Sequence, residues 1–118
     1  PYLAPEQALR RPKDISIRTD VYSLGAILYE MLAGRPPFLA SGVLDPLRQV
    51  VEESPPPLAN VPHDIANICM KCLEKDPERR YASASEFADD LRRFLAGETV
   101  QARPVGISLR ALRWWRRR

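Results

Sequence analysis

The sequence predicts an all-α fold, a group of short helices around one buried central helix, followed by a basic C-terminal tail. Three observations carry this. Five segments combine helical apolar spacing with a start or stop residue. No segment alternates apolar and polar residues cleanly enough for a strand. One stretch, from Thr19 or Asp20 to Ala33, is apolar nearly all round, and a helix without a wet face belongs in the middle of a domain.

The first helix follows Pro5 and runs through Glu6, Gln7, Ala8 and Leu9; proline suits a first helical position, where its missing N–H would have no partner anyway. A loop holding Pro12 and Lys13 leads to the central helix. Its apolar residues are Val21, Tyr22, Leu24, Ala26, Ile27, Leu28, Tyr29, Met31 and Leu32, interrupted by Asp20, Ser23 and Glu30. Gly34 stops it, and Pro36-Pro37 prevents continuation. The third helix has Asp45 as its cap and Pro46 in its first turn, then Leu47, Val50 and Val51 at helical spacing. Ser54-Pro55-Pro56-Pro57 ends it as an extended connector. The fourth runs from about Pro62 to Leu73 and closes before Asp76-Pro77. The fifth opens on a capping-box pattern, Ser83-x-x-Glu86, carries Phe87, Leu91 and Leu95 at steps of four, and stops at Gly97.

At 118 residues the chain is one domain or a piece of one, and its 45% hydrophobic and 28% charged content are ordinary for a soluble globular protein. It begins at Pro1 without an initiator Met, and both ends are expected to be cuts. No apolar run approaches the roughly 20 residues of a membrane span. The net charge of +3 hides an asymmetry: residues 1–100 hold 12 basic and 15 acidic side chains, and six arginines follow from Gln101 onward without an acid. Basicity confined to one arm is weak support for nucleic-acid binding. Cys69 and Cys72 form a lone C-x-x-C and His63 is the only histidine, too few ligands for a structural zinc. Both thiols fall on one helical face with Ile65, Ile68 and Leu73, the pattern of inert core cysteines.

Four segments resemble, in order, parts of the C-terminal lobe of a bacterial, eukaryotic-like serine/threonine protein kinase. Tyr2-Leu3-Ala4-Pro5-Glu6-Gln7-Ala8 resembles the Ala-Pro-Glu motif that closes the activation segment. Asp20-Val21-Tyr22-Ser23-Leu24-Gly25 resembles the start of the lobe's central helix, and Tyr29-Glu30-Met31-Leu32-Ala33-Gly34-Arg35-Pro36-Pro37-Phe38 its end and the following loop. Lys75-Asp76-Pro77-Glu78-Arg79-Arg80-Tyr81 resembles the turn before the last helix. Together they cover residues 1–97, which would be a partial kinase domain, with residues 98–118 as linker and basic juxtamembrane-like tail.

The resemblance implies ATP-dependent phosphoryl transfer to protein Ser or Thr by a parent protein that uses ATP and Mg. The Gly-rich loop, strand lysine, His-Arg-Asp with its Asn, and Asp-Phe-Gly of that chemistry do not occur in this sequence. No residue here is therefore a candidate catalytic base, metal ligand or nucleotide ligand, and the 118 residues alone are expected to be inactive. What the resemblance does carry over is a support role. Tyr2, Leu3, Ala4, Pro5 and Glu6 would form the loop that positions the substrate, Glu30 would line the groove and favour a basic residue, and Asp20 would hold the backbone of the catalytic loop. A helix cap is the plainer reading of Asp20. Glu6 and Arg80 would form a buried ion pair, with Arg79 facing water, while Ser23 and Gly25 are packing residues.

Two other functions stay open: a non-catalytic, kinase-like docking or scaffold module, and an unrelated helical domain acting through its arginine tail. The implied partners are a protein substrate and the N-lobe and catalytic loop of the same parent. Leu109–Arg118, with Trp114 and Trp115 among arginines, suits a membrane surface. The parent is then expected in the cytoplasm, anchored to the inner membrane by a span after Arg118. A solvated basic end is the simpler alternative.

Overall fold

The computed structural model of the chain describes residues 2–9, 15–38 and 46–103. Among the described residues the five expected helices are present: α1 (Pro5–Ala8), α2 (Ile17–Ala33), α3 (Pro46–Glu52), α4 (His63–Cys72) and α5 (Ala84–Leu95). One turn of 3₁₀ helix, Pro77–Arg79, precedes α5, and no strand occurs among the described residues. The expected Asp45 cap, the Pro12–Lys13 loop and the tail beyond Arg103 lie outside the described residues. No helix of the described residues is long and apolar enough to cross a membrane.

The start of α2 differs from the expectation. Ser16, not Thr19 or Asp20, is its N-cap: the Ser16 hydroxyl accepts from the Arg18 N–H at 3.2 Å, and the Ser16 N–H donates to the Thr19 hydroxyl at 3.0 Å. Ser16 caps as well as Thr or Asp would, and it starts the helix earlier than the Thr19 or Asp20 expected. At the other end Gly34 takes φ 78°, a left-handed conformation open to glycine, and its N–H closes on the Glu30 carbonyl at 2.8 Å.

α2 separates two apolar clusters. Tyr22, Ala26 and Tyr29 pack with Phe38, Val50, Cys69 and Leu73 on one side. Val21 packs with Ile65, Ile68, Cys72, Tyr81 and Phe87 on the other. The join is the crossing of α2 over α4 at Gly25, where an added Cβ would lie 2.3 Å from the Cys72 Cβ. Both cysteines are free and buried, as core residues should be. Burial pushes the Cys69 thiol up to about 12 and Cys72 well above its ordinary range, so neither forms a thiolate at neutral pH.

The central helix is nevertheless not covered all round. Ile17, Leu24, Ile27 and Met31 are 64%, 38%, 43% and 76% exposed, and they recur at helical spacing on one open face. Apolar periodicity says which residues avoid water, not what covers them. In α5 the steps of four also drift off the buried face, since a helix turns every 3.6 residues. Phe87 is buried and Leu91 half-buried, but Leu95 is 81% exposed, and Asp90 takes a fully buried place on that face. The capping residue of α5 is as expected: Ser83 accepts from the Glu86 N–H at 3.2 Å. The Glu86 carboxylate reaches one residue further back, to the Ala82 N–H at 2.8 Å.

Candidate functional site

The N-terminal segment enters extended and turns at Ala4 into α1, whose first residue is Pro5. This entry sets Glu6 in the first helical turn with its side chain fully buried. A carboxylate stranded there would cost several kcal/mol, and the surrounding groups answer it. Arg80 grips both oxygens, Nη1 to Oε2 at 2.7 Å and Nη2 to Oε1 at 2.8 Å, with no exposed surface on either side chain. The Thr19 hydroxyl donates to Oε2 at 2.6 Å.

The guanidinium is itself fully used. Nε donates to the Glu74 carbonyl at 2.8 Å, Nη1 to the Arg18 carbonyl at 3.1 Å and Nη2 to the Lys75 carbonyl at 3.2 Å. With the two bonds to Glu6, all five N–H donors of Arg80 have acceptors. Its plane also stands over the Tyr22 ring, 4.9 Å from the centroid. Burial alone would push the Glu6 carboxyl up; the bonds from Arg80 and Thr19 outweigh it and hold the group below the ordinary carboxylate range. Arg80 thus joins the start of α1, the start of α2 and the turn before α5. Thr19 went unrecognised in the sequence because it stood only as a candidate helix start. Once Ser16 takes that cap, Thr19 lies one turn in and faces Glu6.

A second set of contacts fixes the exposed end of the same segment. The Tyr2 hydroxyl donates to Glu30 Oε1 at 2.7 Å, and the Ser23 hydroxyl donates to the Tyr2 carbonyl at 2.9 Å. The bond to Glu30 raises the Tyr2 hydroxyl above its ordinary pKa. Ser23, read from sequence as packing only, therefore holds backbone. Leu3 is half-buried, while Ala4, Pro5 and Glu6 are closed in, so Tyr2 and Glu30 form the solvent-facing edge. That edge offers a carboxylate oxygen and a phenol on a segment held at Tyr2 by Ser23 and Glu30 and at Glu6 by Arg80 and Thr19.

Asp20 is exposed in the first turn of α2, on the same open face as Ile17, Leu24, Ile27 and Met31. It makes no side-chain bond among the described residues, and the cap position belongs to Ser16. The described residues offer no cradle for a nucleotide with its magnesium. Among the described residues no three carboxylate, imidazole or thiol groups cluster to hold a metal, and the acidic edge at Glu30 would repel phosphate.

The family model for the protein kinase domain matches residues 1–91. A probable serine/threonine-protein kinase PknB of Bifidobacterium longum is 45% identical over 100 residues, covering 81% of this chain and 14% of that protein. Serine/threonine-protein kinase PknB of Mycobacterium tuberculosis is 43% identical over 108 residues, covering 88% of this chain and 17% of its own length. Serine/threonine-protein kinase PknA of the same species is 40% identical over 97 residues, with 81% and 22% covered. The chain thus spans between 14% and 22% of the relatives it matches here.

Proposed function

The chain belongs to the protein kinase domain family, and from that premise we propose that it is the substrate-side part of the catalytic lobe of a serine/threonine protein kinase. The parent transfers phosphoryl groups from ATP, with magnesium, to Ser or Thr of proteins. The observation that carries this reading is the clamped Tyr2–Glu6 segment, held inside by Arg80 and Thr19 and outside by Glu30 and Ser23. Such a segment keeps its shape while a peptide lies against it, which is what orientation of a phosphoacceptor requires. ATP and magnesium would be held by other parts of the parent, and no step of the transfer is assigned to residues of this chain.

Asp20 supports the same reading. Its carboxylate stands unpaired among the described residues, in an apolar stripe, with its capping duty taken by Ser16. In the parent it accepts hydrogen bonds from the backbone of the catalytic loop, which docks on the open face of α2. Glu30, half-buried and already bonded to Tyr2 through one oxygen, keeps the other for a basic substrate side chain. The arginine-rich tail, Leu109–Arg118, lies against an anionic membrane surface, on the strength of its Trp and Arg content.

The test is a peptide array phosphorylated by the full-length protein. Transfer to Ser and Thr peptides, with preference for Arg N-terminal to the acceptor that Glu30→Ala removes, is the expected result. Absence of any transfer would favour a kinase-like scaffold instead. Transfer with an unchanged basic preference in the Glu30 variant would retain the kinase and reject Glu30 as a substrate contact.

A further inference from the structure

Asp90 is fully buried in α5 and takes no part in the site above. Each of its oxygens accepts two hydrogen bonds. Oδ1 accepts from Arg93 Nη1 at 3.0 Å and from the Gln101 N–H at 2.7 Å; Oδ2 accepts from the Tyr81 hydroxyl at 2.6 Å and from the Ala102 N–H at 2.9 Å. A carboxylate with all four acceptor positions filled holds its partners in a narrow geometry. Two of those partners are successive backbone amides beyond the end of the helix.

The chain reaches them by a reversal. Gly97 at φ 73° follows the last turn of α5; its N–H donates to the Phe94 carbonyl at 3.1 Å and the Glu98 N–H to the Arg93 carbonyl at 2.8 Å. This paired closure turns the backbone back along the helix. Residues 99–102 then run beside α5, with Val100 half-buried and Ala102 only 5% exposed, both packed in the cluster of Ile65, Ile68, Phe87 and Tyr81. The linker expected from the sequence after residue 97 is, as far as Ala102, part of the lobe.

We propose that Val100–Ala102 is a strap, locked by Asp90, that fixes where the chain leaves the lobe. The segment beyond it carries all six of the C-terminal arginines, from Arg103 onward. It is launched from a set point beside Tyr81 and α5 rather than from a free hinge at Gly97. A force or a binding event on that basic arm is therefore transmitted to α5 and, through Tyr81, to the turn that carries Arg80. Without the strap the same event would be absorbed by slack chain. Asp90 is a positioning residue, and the strap is a conformational device of the lobe.

Amide hydrogen exchange on the full-length protein tests this. The Gln101 and Ala102 amides should exchange at least about a hundredfold more slowly than free peptide, in the range of the α5 amides. Asp90→Asn replaces an acceptor oxygen by a donor and should cost them about tenfold in protection. Because that variant also disturbs Tyr81 and Arg93, a second one isolates the strap. Ala102→Asp sets a charge and extra bulk against the Asp90 carboxylate from the strap side. Loss of protection at residues 100–102 with α5 itself still protected supports the strap. Rapid exchange of the two amides in the unaltered protein, or protection unchanged by Ala102→Asp, overturns it.

Discussion

Replacing Arg80 by Met in the full kinase domain removes five hydrogen bonds at once, and the structure sets what each loss costs. The Glu6 carboxylate would lose both bonds that now close its oxygens, keeping only the Thr19 hydroxyl at 2.6 Å. A buried charge left without its partner costs about 3–5 kcal/mol. The carbonyls of Arg18, Glu74 and Lys75 also lose a donor, at about 1 kcal/mol or more for each that water cannot reach. Against a typical domain stability of roughly 5–15 kcal/mol, this is close to unfolding. Arg80→Lys is the milder probe: three donors cannot serve five acceptors, and an ammonium cannot take both carboxylate oxygens in one plane.

The pH dependence separates the ion pair from simple loss of packing. In the native protein Glu6 is held below its ordinary value, so it contributes stability that is present above the unfolded carboxylate pKa, near 4.5, and is lost as pH falls through the folded value. In Arg80→Met burial becomes the dominant influence and pushes Glu6 up. The variant should then gain stability, relative to the native protein, as pH is lowered toward 5. Urea denaturation of Glu6→Gln, Arg80→Met and the double variant, at pH 7 and pH 5, supplies the full cycle. The expected coupling is more than about 2 kcal/mol at pH 7, with the double variant more stable than Arg80→Met alone. A loss under about 1 kcal/mol for Arg80→Met, the size typical of exposed pairs, would refute the reasoning.

Two further outcomes follow from close contacts elsewhere. Gly25→Ala should destabilise by about 3 kcal/mol, because its Cβ would meet the Cys72 Cβ at 2.3 Å and α2 would have to rise off α4; thermal melts should show Cys72→Gly restoring part of the loss and Cys72→Ala, which keeps the Cβ, restoring none. Lys75 donates to the Val50 carbonyl and stands 4.5 Å from the Phe38 ring, and burial, with Arg80 adding to it, lowers its pKa from 10.5 to about 7. The unfolded chain then binds the extra proton between those values, so stability should rise with pH above 7, by about 1 kcal/mol per pH unit; denaturation midpoints from pH 7 to 9 should show this rise in the native protein and its absence in Lys75→Met.

Much of this lobe was legible in its sequence because its helices carry explicit ends. Pro5, Gly34, Ser83 and Gly97 each perform the backbone task their chemistry suggests. The Glu6–Arg80 pair, separated by 74 positions, was legible only through resemblance, since no local spacing links α1 to the turn before α5. Three other buried polar groups were not legible at all. Thr19, Lys75 and Asp90 are residue types that normally sit at the surface. What buries each is a partner elsewhere: the Glu6 carboxylate, the Val50 carbonyl and the strap amides.

The open face of α2 marks the opposite limit. Its residues are apolar nearly all round, so interior placement was the natural expectation, yet two covered faces account for only part of them. Solvent does not explain Ile17, Leu24, Ile27 and Met31 in a row, because scattered exposed apolar residues are ordinary and an aligned stripe is not. Nor does a helix need Asp20 within that stripe once Ser16 has capped it. An apolar stripe with one carboxylate near its end has the composition of a contact surface that buries side chains and receives a few backbone N–H groups. The same helix holds Glu30 and Ser23 against the Tyr2 segment. Anything seated on the stripe is thereby set in fixed register with the Tyr2–Glu30 edge.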